Sequence, residues 1–352
     1  MHNDMKGMTV GMFRFGTAFL VGVVALGLLC SCEKDRGTAA DGRARVSFVV
    51  GTPSTRAAVT AHEDEVRSLD VLVFRADDGS LDAHERVTGN GLTGITAEVT
   101  SGVPMHWHVV ANAPEGALDG FVSEERLLGS VTFFTDGTTS SLVMHAGGDV
   151  TVRAEGNQPV RAVLDRYTCK VTVESLSVRL IDSFTTPPVV SLERIVLVNA
   201  VGSTPWSAVP AAGDVWYNKM GVDSSLGAFE KDMLVKEYGA RSIGSSAPVD
   251  VASPLYCMPN PISNSWNSVN APSWSPRNTR IAVELKVDGV SNWYPVDLPA
   301  MQCNRHYLLR GFTVSGPGSD SPDKPVSRDD VAFSVEILPW GENVLNPVFP
   351  TE

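Results

Sequence analysis

Apolar and polar residues alternate along most of the chain, and this pattern predicts β-strands. In Ser68–Arg75 every second residue from Leu69 to Val73 is apolar, as in a strand with one face in a core. Tyr167–Leu180 alternates in the same way. Helical periodicity is nearly absent, and a short helix is expected only at 123–128. The same reasoning predicts strands at Arg45–Val50, Gly94–Val99, Trp107–Ala111, Ser130–Phe134, Ser141–Met144, Asp149–Arg153, Glu193–Asn199, Thr279–Val287, Trp293–Asp297, Arg305–Val314 and Asp330–Leu338.

The spacing of these strands predicts an all-β protein made of β-sandwich domains. Turn residues separate the strands at intervals typical of sandwiches, and a chain of 352 residues suits two domains. The break between the two series of strands predicts an N-terminal domain at 57–163 and a C-terminal domain with its tail at 164–352. Residues 202–250 show no regular pattern, and the proline-rich segment 259–279 is expected to be a long loop.

The first residues have the pattern of a bacterial export signal. Lys6 and Arg14 precede the uncharged segment 15–31, which is short for a membrane-spanning helix and suits a signal peptide. The segment ends in Leu-Cys-Ser-Cys, which resembles a lipobox, with an aliphatic residue three positions and a small residue one position before Cys32. The sequence therefore predicts a signal peptide at 1–31, lipidation of Cys32 and an outer-membrane lipoprotein precursor. A cleaved signal with two incidental cysteines is the alternative.

Charge and motifs argue against nucleic-acid binding and against catalysis. The formal net charge is −12, and the pI is about 5.1, whereas a nucleic-acid binder needs a basic surface. The sequence has no nucleophile elbow, zinc-protease helix or P-loop. His106 and His108 share one strand face, but nothing in the sequence supplies a third zinc ligand, and a solvated face is expected. We therefore expect no enzyme, no cofactor and no metal.

Three cysteines beyond the predicted anchor leave two interpretations open. Cys169, Cys257 and Cys303 form no C-x-x-C pair and have no metal-ligand spacing. One disulfide among them would form in an oxidising compartment. Three separate buried thiols would also fit, because free cysteine packs as a small apolar residue.

Several segments together resemble the fimbrillin family, the lipoprotein-derived type V pilins of Bacteroidales. Each segment is weak evidence alone, and the resemblance depends on the order of the segments along about residues 44–340. Residues 202–280 depart from the family's pattern. The C-terminal set is the most specific. The segments are Ser68–Leu81 (SLDVLVFRADDGSL), Trp107–Pro114 (WHVVANAP), Val160–Val173 (VRAVLDRYTCKVTV), Ile195–Ala200 (IVLVNA), Tyr294–Val296 (YPV), Asn304–Tyr307 (NRHY), Val314–Val326 (VSGPGSDSPDKPV) and Val335–Trp340 (VEILPW).

The resemblance implies two tandem transthyretin-like β-sandwiches and a structural or adhesive role in a cell-surface fimbrium (pilus). In such proteins an arginine-specific protease removes the first strand, and a strand from another pilus subunit fills the groove. Here residues 32–56 would be the tether and removable strand, with Val46, Phe48 and Val50 facing the groove and the cut between Arg56 and Ala57. The implied partners are other subunits, that protease and the outer membrane through the lipid. Whether 341–352 donates a strand is left open.

A surface glycan-binding lipoprotein with stacked β-domains is the alternative function. Tryptophan side chains can stack on the apolar faces of sugar rings, and the irregular region contains Trp206, Trp216, Trp266 and Trp274. Packing inside the protein is the other expected role for each of them.

Overall fold

The fold is described from a computed structural model of the full chain. The residues described are 42–51, 62–154, 157–180, 186–209, 211, 213–219, 232–244, 247–263, 274–327 and 329–340. The strands, in chain order, are β1 (Arg43–Gly51), β2 (Ser68–Arg75), β3 (Leu81–Thr88), β4 (Gly94–Thr100), β5 (Pro104–Ala111), β6 (Val131–Phe133), β7 (Met144–Thr151), β8 (Asn157–Val163), β9 (Asp165–Arg166), β10 (Cys169–Val173), β11 (Ser175–Val178), β12 (Val190–Val198), β13 (Ala200–Val201), β14 (Ser203–Pro205), β15 (Trp216–Tyr217), β16 (Val235–Ser242), β17 (Val249–Asp250), β18 (Leu255–Cys257), β19 (Arg280–Val287), β20 (Val290–Asp297), β21 (Arg305–Val314) and β22 (Val331–Pro339).

The N-terminal half is a sandwich of two sheets. One sheet has the order β4-β1-β8, and the other has the order β3-β2-β5-β7-β9. Their facing side chains, which include Phe48, Val71, Val99 and Trp107, form one buried cluster. In β1, β2, β4 and β5 the alternation in the sequence puts every second residue into this cluster.

The C-terminal half has a second pair of sheets. Five strands follow the order β17-β11-β21-β10-β18, with β22 added to β21, and four strands follow the order β16-β12-β19-β20. Their common core also takes in Leu72, Phe74 and Val110 from the N-terminal sheet. The five-stranded N-terminal sheet is therefore covered on both faces, and the seven residues Ser68–Phe74 of β2 are all buried.

Two strands pair across the predicted domain boundary. β9 extends the N-terminal sheet beside β7 after residue 164, and β14 pairs with β6 through Ser203↔Phe133 and its neighbours. The boundary between residues 163 and 164 stays a prediction.

The predicted helix is confirmed as α1 (Glu124–Gly129), and the described residues also contain 3-10 helices at Phe134–Asp136 and Asp232–Leu234. The Ser123 side chain accepts a hydrogen bond from the Arg126 amide at 3.4 Å, and Glu124 and Glu125 occupy the first turn. A serine cap and early carboxylates stabilise a helix start. None of the helices in the described ranges is long and apolar enough to cross a membrane.

The strand predictions were wrong in a few places. Ser141–Met144 and Asp149–Arg153, expected as two strands, are replaced by the single strand β7. The sequence analysis also missed β3 and β16, of which β16 lies in the region without a regular pattern. Both strands lie at sheet edges, and most of their residues are at least partly exposed, so their apolar alternation is weak.

Candidate functional site

The predicted removable strand is β1, and its inner face is buried. Val46 and Phe48 have no exposed surface, and Ala44 is buried beside them. The Phe48 ring lies 5.3 Å from the Trp107 ring, centroid to centroid. Val50 is half-buried and packs against the edge of the same cluster. The structure therefore brings Val46, Phe48 and Val50 to one apolar face, which is the arrangement that the sequence predicts.

β1 is the central strand of its sheet, so its backbone is paired on both sides. It runs antiparallel to β4, from Arg43↔Thr100 to Val49↔Gly94. It runs parallel to β8, from Arg45↔Asn157 to Gly51↔Val163. Removing β1 would therefore leave two strand edges with unpaired N–H and C=O groups around an apolar floor.

A glycine allows close contact where β4 meets the end of β1. A Cβ atom at Gly94 would lie 2.7 Å from the Phe48 carbonyl oxygen, closer than real contacts allow. Any side chain there would push the two strands apart, so Gly94 sets how closely a central strand fits.

The outer face of β1 is polar and partly exposed. Arg43 pairs with Asp82 at 3.2 Å, and Arg45 pairs with Glu98 at 3.1 Å. The Ser47 hydroxyl lies 2.8 Å from the Thr96 hydroxyl and donates to Asn157 at 2.9 Å. The exposed pair of Arg45 with Glu98 contributes little to stability, so the apolar inner face provides most of what holds the strand.

The predicted processing sites lie outside the described residues. Cys32, Arg56, Ala57 and the tail 341–352 belong to this part. The described chain stops at Gly51, the end of β1, and resumes at His62. The predicted cut thus falls between β1 and the segment that begins at His62.

A buried group of charged and aromatic side chains holds the segment after that gap. The Glu63 carboxylate accepts hydrogen bonds from Lys170 at 2.9 and 3.1 Å and from Trp340 Nε1 at 3.3 Å. The Tyr256 hydroxyl also donates to Glu63. The next residue, Asp64, pairs with Arg166. We call these side chains the junction cluster: Glu63, Asp64, Arg166, Lys170, Tyr256 and Trp340.

Trp340, the last described residue, is fixed inside this cluster. Its carbonyl oxygen accepts a hydrogen bond from Arg166 Nη1 at 3.1 Å. Its ring stacks on Tyr256 at 5.7 Å, and the Arg166 guanidinium lies 4.5 Å from the ring centre. The junction cluster therefore ties the segment after the predicted cut to the residue from which the tail leaves.

The electrostatics of the cluster depend on low solvent access. Burial lowers the pKa of Arg166 to about 10, although the charge of Glu63 acts in the opposite direction. Burial also lowers the pKa of His306 to about 4, and the nearby positive charge of Lys170 adds to that shift. Sequence reasoning missed this cluster. The signal available in the sequence was Lys170, which lies between apolar residues of a predicted core strand. A lysine in a core requires a buried partner for its charge.

His106 and His108 share one strand face, as expected, but a carboxylate binds both. The Glu124 oxygens lie 2.7 Å from His106 Nδ1 and 2.8 Å from His108 Nε2. The hydrogen bond to Glu124 raises the pKa of His106. Burial acts to raise the pKa of Glu124, but the two imidazoles lower it on balance. Within the described ranges no group of three or more side chains is arranged to hold a metal ion.

The tryptophans of the alternative glycan-binding hypothesis are packed inside the protein. Trp206 and Trp216 are buried. Trp274 is partly buried with its ring 5.1 Å from Trp216, and Trp266 lies outside the described residues. The rings of Trp206 and Trp216 therefore offer no exposed face to a sugar.

Comparison with known proteins supports the fimbrillin resemblance. Residues 44–189 match the family model described as major fimbrial subunit protein (FimA). A search of curated proteins found no significant match. Solved structures similar to this chain include a fimbrilin from Porphyromonas gingivalis, with a TM-score of 0.60, 14% identity, and coverage of 85% of this chain and 98% of that one.

Two other structures extend the comparison. A candidate cell adhesion protein from Bacteroides eggerthii has a TM-score of 0.63 and 17% identity, covering 86% of this chain and 98% of that one. The C-terminally truncated tip fimbrial protein Mfa3 from P. gingivalis has a TM-score of 0.50 and 17% identity, covering 84% of this chain and 100% of that one. At these identities the structures show the fold alone. The predicted all-β sandwich fold is thus confirmed, and the family match bears out the resemblance to fimbrillins over residues 44–189.

Proposed function

We propose that this protein is a structural or adhesive subunit of a cell-surface fimbrium, exported as a lipoprotein and assembled by protease-triggered donor-strand exchange. The observation that carries the proposal is the place of β1, a central strand at the start of the described chain, joined to the rest through the predicted cleavage segment. The family match over residues 44–189 supports a fimbrial role. A structural role needs no catalytic group.

The apolar burial and backbone pairing of β1 favour its replacement by another strand over its removal without replacement. Burying a large apolar side chain contributes about 1.5–3 kcal/mol, and β1 buries Val46 and Phe48 completely. Without β1, the inner faces of β4 and β8 would be exposed together with their unpaired edges, which is a template for another strand. A strand of a neighbouring subunit can restore both the hydrogen bonds and the burial. A donor and a groove on different surfaces of the subunit would make a contact that does not close, and such contacts grow a filament.

The junction cluster supports selective removal of β1. Glu63 and Asp64 are bound to Lys170 and Arg166, which lie in the body of the protein. A cut at Arg56 would free only the segment before it, because the chain after residue 62 is held in place. The mature subunit would then begin at Ala57.

Limited trypsin digestion of the purified precursor should cut between Arg56 and Ala57 and produce SDS-resistant oligomers. Residues 33–56 carry five basic and three acidic side chains, so the assembled subunit should also be more acidic. N-terminal sequencing and a gel without boiling measure both effects. The matched control is Arg56→Gln, which should stay monomeric, whereas Arg45→Gln should assemble. A digested wild type that remains monomeric while shifting on a polysaccharide gel would favour the glycan-binding alternative.

Replacing Cys32 with alanine should abolish acylation and surface retention. Cys32 has the small Ser31 before it, whereas Cys30 follows Leu29. Metabolic labelling with palmitate measures the effect, and Cys30→Ala is the control that should stay labelled. The opposite pattern, with label lost only in Cys30→Ala, would show that the anchor has been assigned to the wrong residue.

A further inference from the structure

Two of the three described cysteines face each other across a pair of strands. In the antiparallel pairing of β10 with β18, Cys169 lies directly opposite Cys257, followed by Lys170↔Tyr256 and Val171↔Leu255. Residues opposite each other in such a pair have Cα atoms about 4.5–5.5 Å apart. A disulfide spans about 4.4–6.8 Å between Cα atoms. The backbone therefore already has the separation that a Cys169–Cys257 bond needs.

The side chains of the pair also lie on the same face of the sheet. Opposite residues of an antiparallel pair point to the same face of the sheet, and both cysteines are fully buried in the same core. Burial raises the pKa of the Cys169 thiol, and the neighbouring Cys257 thiol adds to that shift. The Cys169 thiol also donates to the Gln302 carbonyl at 3.0 Å. In the structure both are free thiols.

Cys303 is placed differently. It precedes β21, and its thiol points to the Ala208 carbonyl oxygen at 3.6 Å. In the parallel pairing of β10 with β21, the first paired residues are Lys170 and His306, and Cys303 precedes this pairing. Cys303 therefore lies opposite neither cysteine of the pair.

We infer that Cys169 and Cys257 form a disulfide that ties β18 to β10 when the chain folds in an oxidising compartment. The inference goes beyond the proposed function and shares with it only the expectation of export. The oxidant is an external disulfide, such as oxidised glutathione or an oxidised dithiol protein. One cysteine thiolate attacks it and releases one thiolate of the oxidant. The other cysteine thiolate then attacks the protein sulfur of the mixed disulfide and releases the second thiolate. The two protein thiols lose two protons and two electrons, and the oxidant gains them as two thiols.

The structure indicates when this bond forms and what it holds. Burial raises the pKa of the Cys169 thiol well above its usual range, so the folded core contains little of the reactive thiolate. The exchange therefore takes place during folding, before β18 closes on β10. β18 is a three-residue strand at the end of its sheet, and its Tyr256 binds Glu63. The bond would keep this part of the junction cluster in register.

Peptide mapping of the refolded full-length chain tests the inference. The chain is refolded once with oxidised and reduced glutathione and once with reductant alone, then alkylated, digested without reduction and analysed by mass spectrometry. We expect a cross-linked peptide joining Cys169 to Cys257 and an alkylated Cys303 in the oxidised sample. The link should persist in Cys303→Ser and disappear in Cys257→Ser. The oxidised wild type should also unfold at a higher urea concentration than the reduced sample.

Two results would overturn the assignment. One is an oxidised wild type in which Cys169 and Cys257 are both alkylated. The other is a cross-link from Cys303 to either residue that equals or exceeds the Cys169–Cys257 link. Both are read from the wild type, so the test stands even if Cys257→Ser fails to fold.

Discussion

Aspartate in place of Phe48 is expected to destabilise the uncut chain strongly and to leave the cut, assembled form unchanged. Loss of a buried phenylalanine ring costs about 3–5 kcal/mol, and a buried carboxylate without a partner adds to that cost. Phe48 is fully buried against Trp107. The assembled form lacks residue 48 if the cut falls after Arg56. Urea unfolding of the precursor and of the trypsin-matured polymer measures the difference.

The matched control for this prediction is the next residue of the same strand. Val49 is 51% exposed on the outer face, so Val49→Asp should leave both forms close to wild type. Phe48→Ala provides a milder change if the aspartate variant does not fold. Equal destabilisation of precursor and polymer would mean that β1 stays in the assembled subunit. A precursor that tolerates Phe48→Asp would mean that β1 is not a buried strand.

Alanine in place of Glu63 is expected to destabilise both the precursor and the assembled form. Glu63 and Lys170 are an almost fully buried ion pair, with side chains 1% and 5% exposed. Removing one member of a buried pair costs about 3–5 kcal/mol, because the remaining buried charge loses its counter-ion. Residue 63 lies after the predicted cut, so it is present in both forms. Urea unfolding of the two forms measures the loss.

Two controls separate the buried pair from general damage to this segment. Glu65→Ala removes a carboxylate two residues away that pairs at the surface with His62 and Arg67, and it should change stability little. The double variant Glu63→Leu with Lys170→Met removes both charges and should recover the part of the loss that comes from the buried Lys170 charge, although Tyr256 and Trp340 still lose their acceptor. If Glu63→Ala behaves like Glu65→Ala, or the double variant is no better than the single one, the pair does not hold the segment.

Much of the fold was predictable because strand patterning is local. The Ser68–Arg75 and Arg305–Val314 strands have the predicted bounds, and the inner face of β1 contains the predicted residues. In each case alternate side chains enter a core, so the sequence itself carries the period of two. The edge strand β16 was missed because six of its eight residues are exposed. The predicted solvated face at His106 and His108 was incomplete, since Glu124 comes from a separate helix.

The candidate site shows the same division between local and distant information. That Val46, Phe48 and Val50 share a face follows from their spacing alone. That β1 lies between β4 and β8 does not follow from spacing, because the pairing partners are about 50 and 110 residues away along the chain. The junction cluster is still less visible, since Lys170 and Glu63 are 107 residues apart.

The sequence by itself determined an acidic all-β chain, its apolar strand faces and a resemblance to fimbrillins, because composition and alternation belong to each segment separately. Only the tertiary structure decided which segments are neighbours. It placed β1 at the centre of a sheet, paired Glu63 with Lys170 and set Cys169 opposite Cys257. The physical reason is that register and burial depend on which strands meet, and a strand's own pattern specifies the face that is buried but not the partner that covers it.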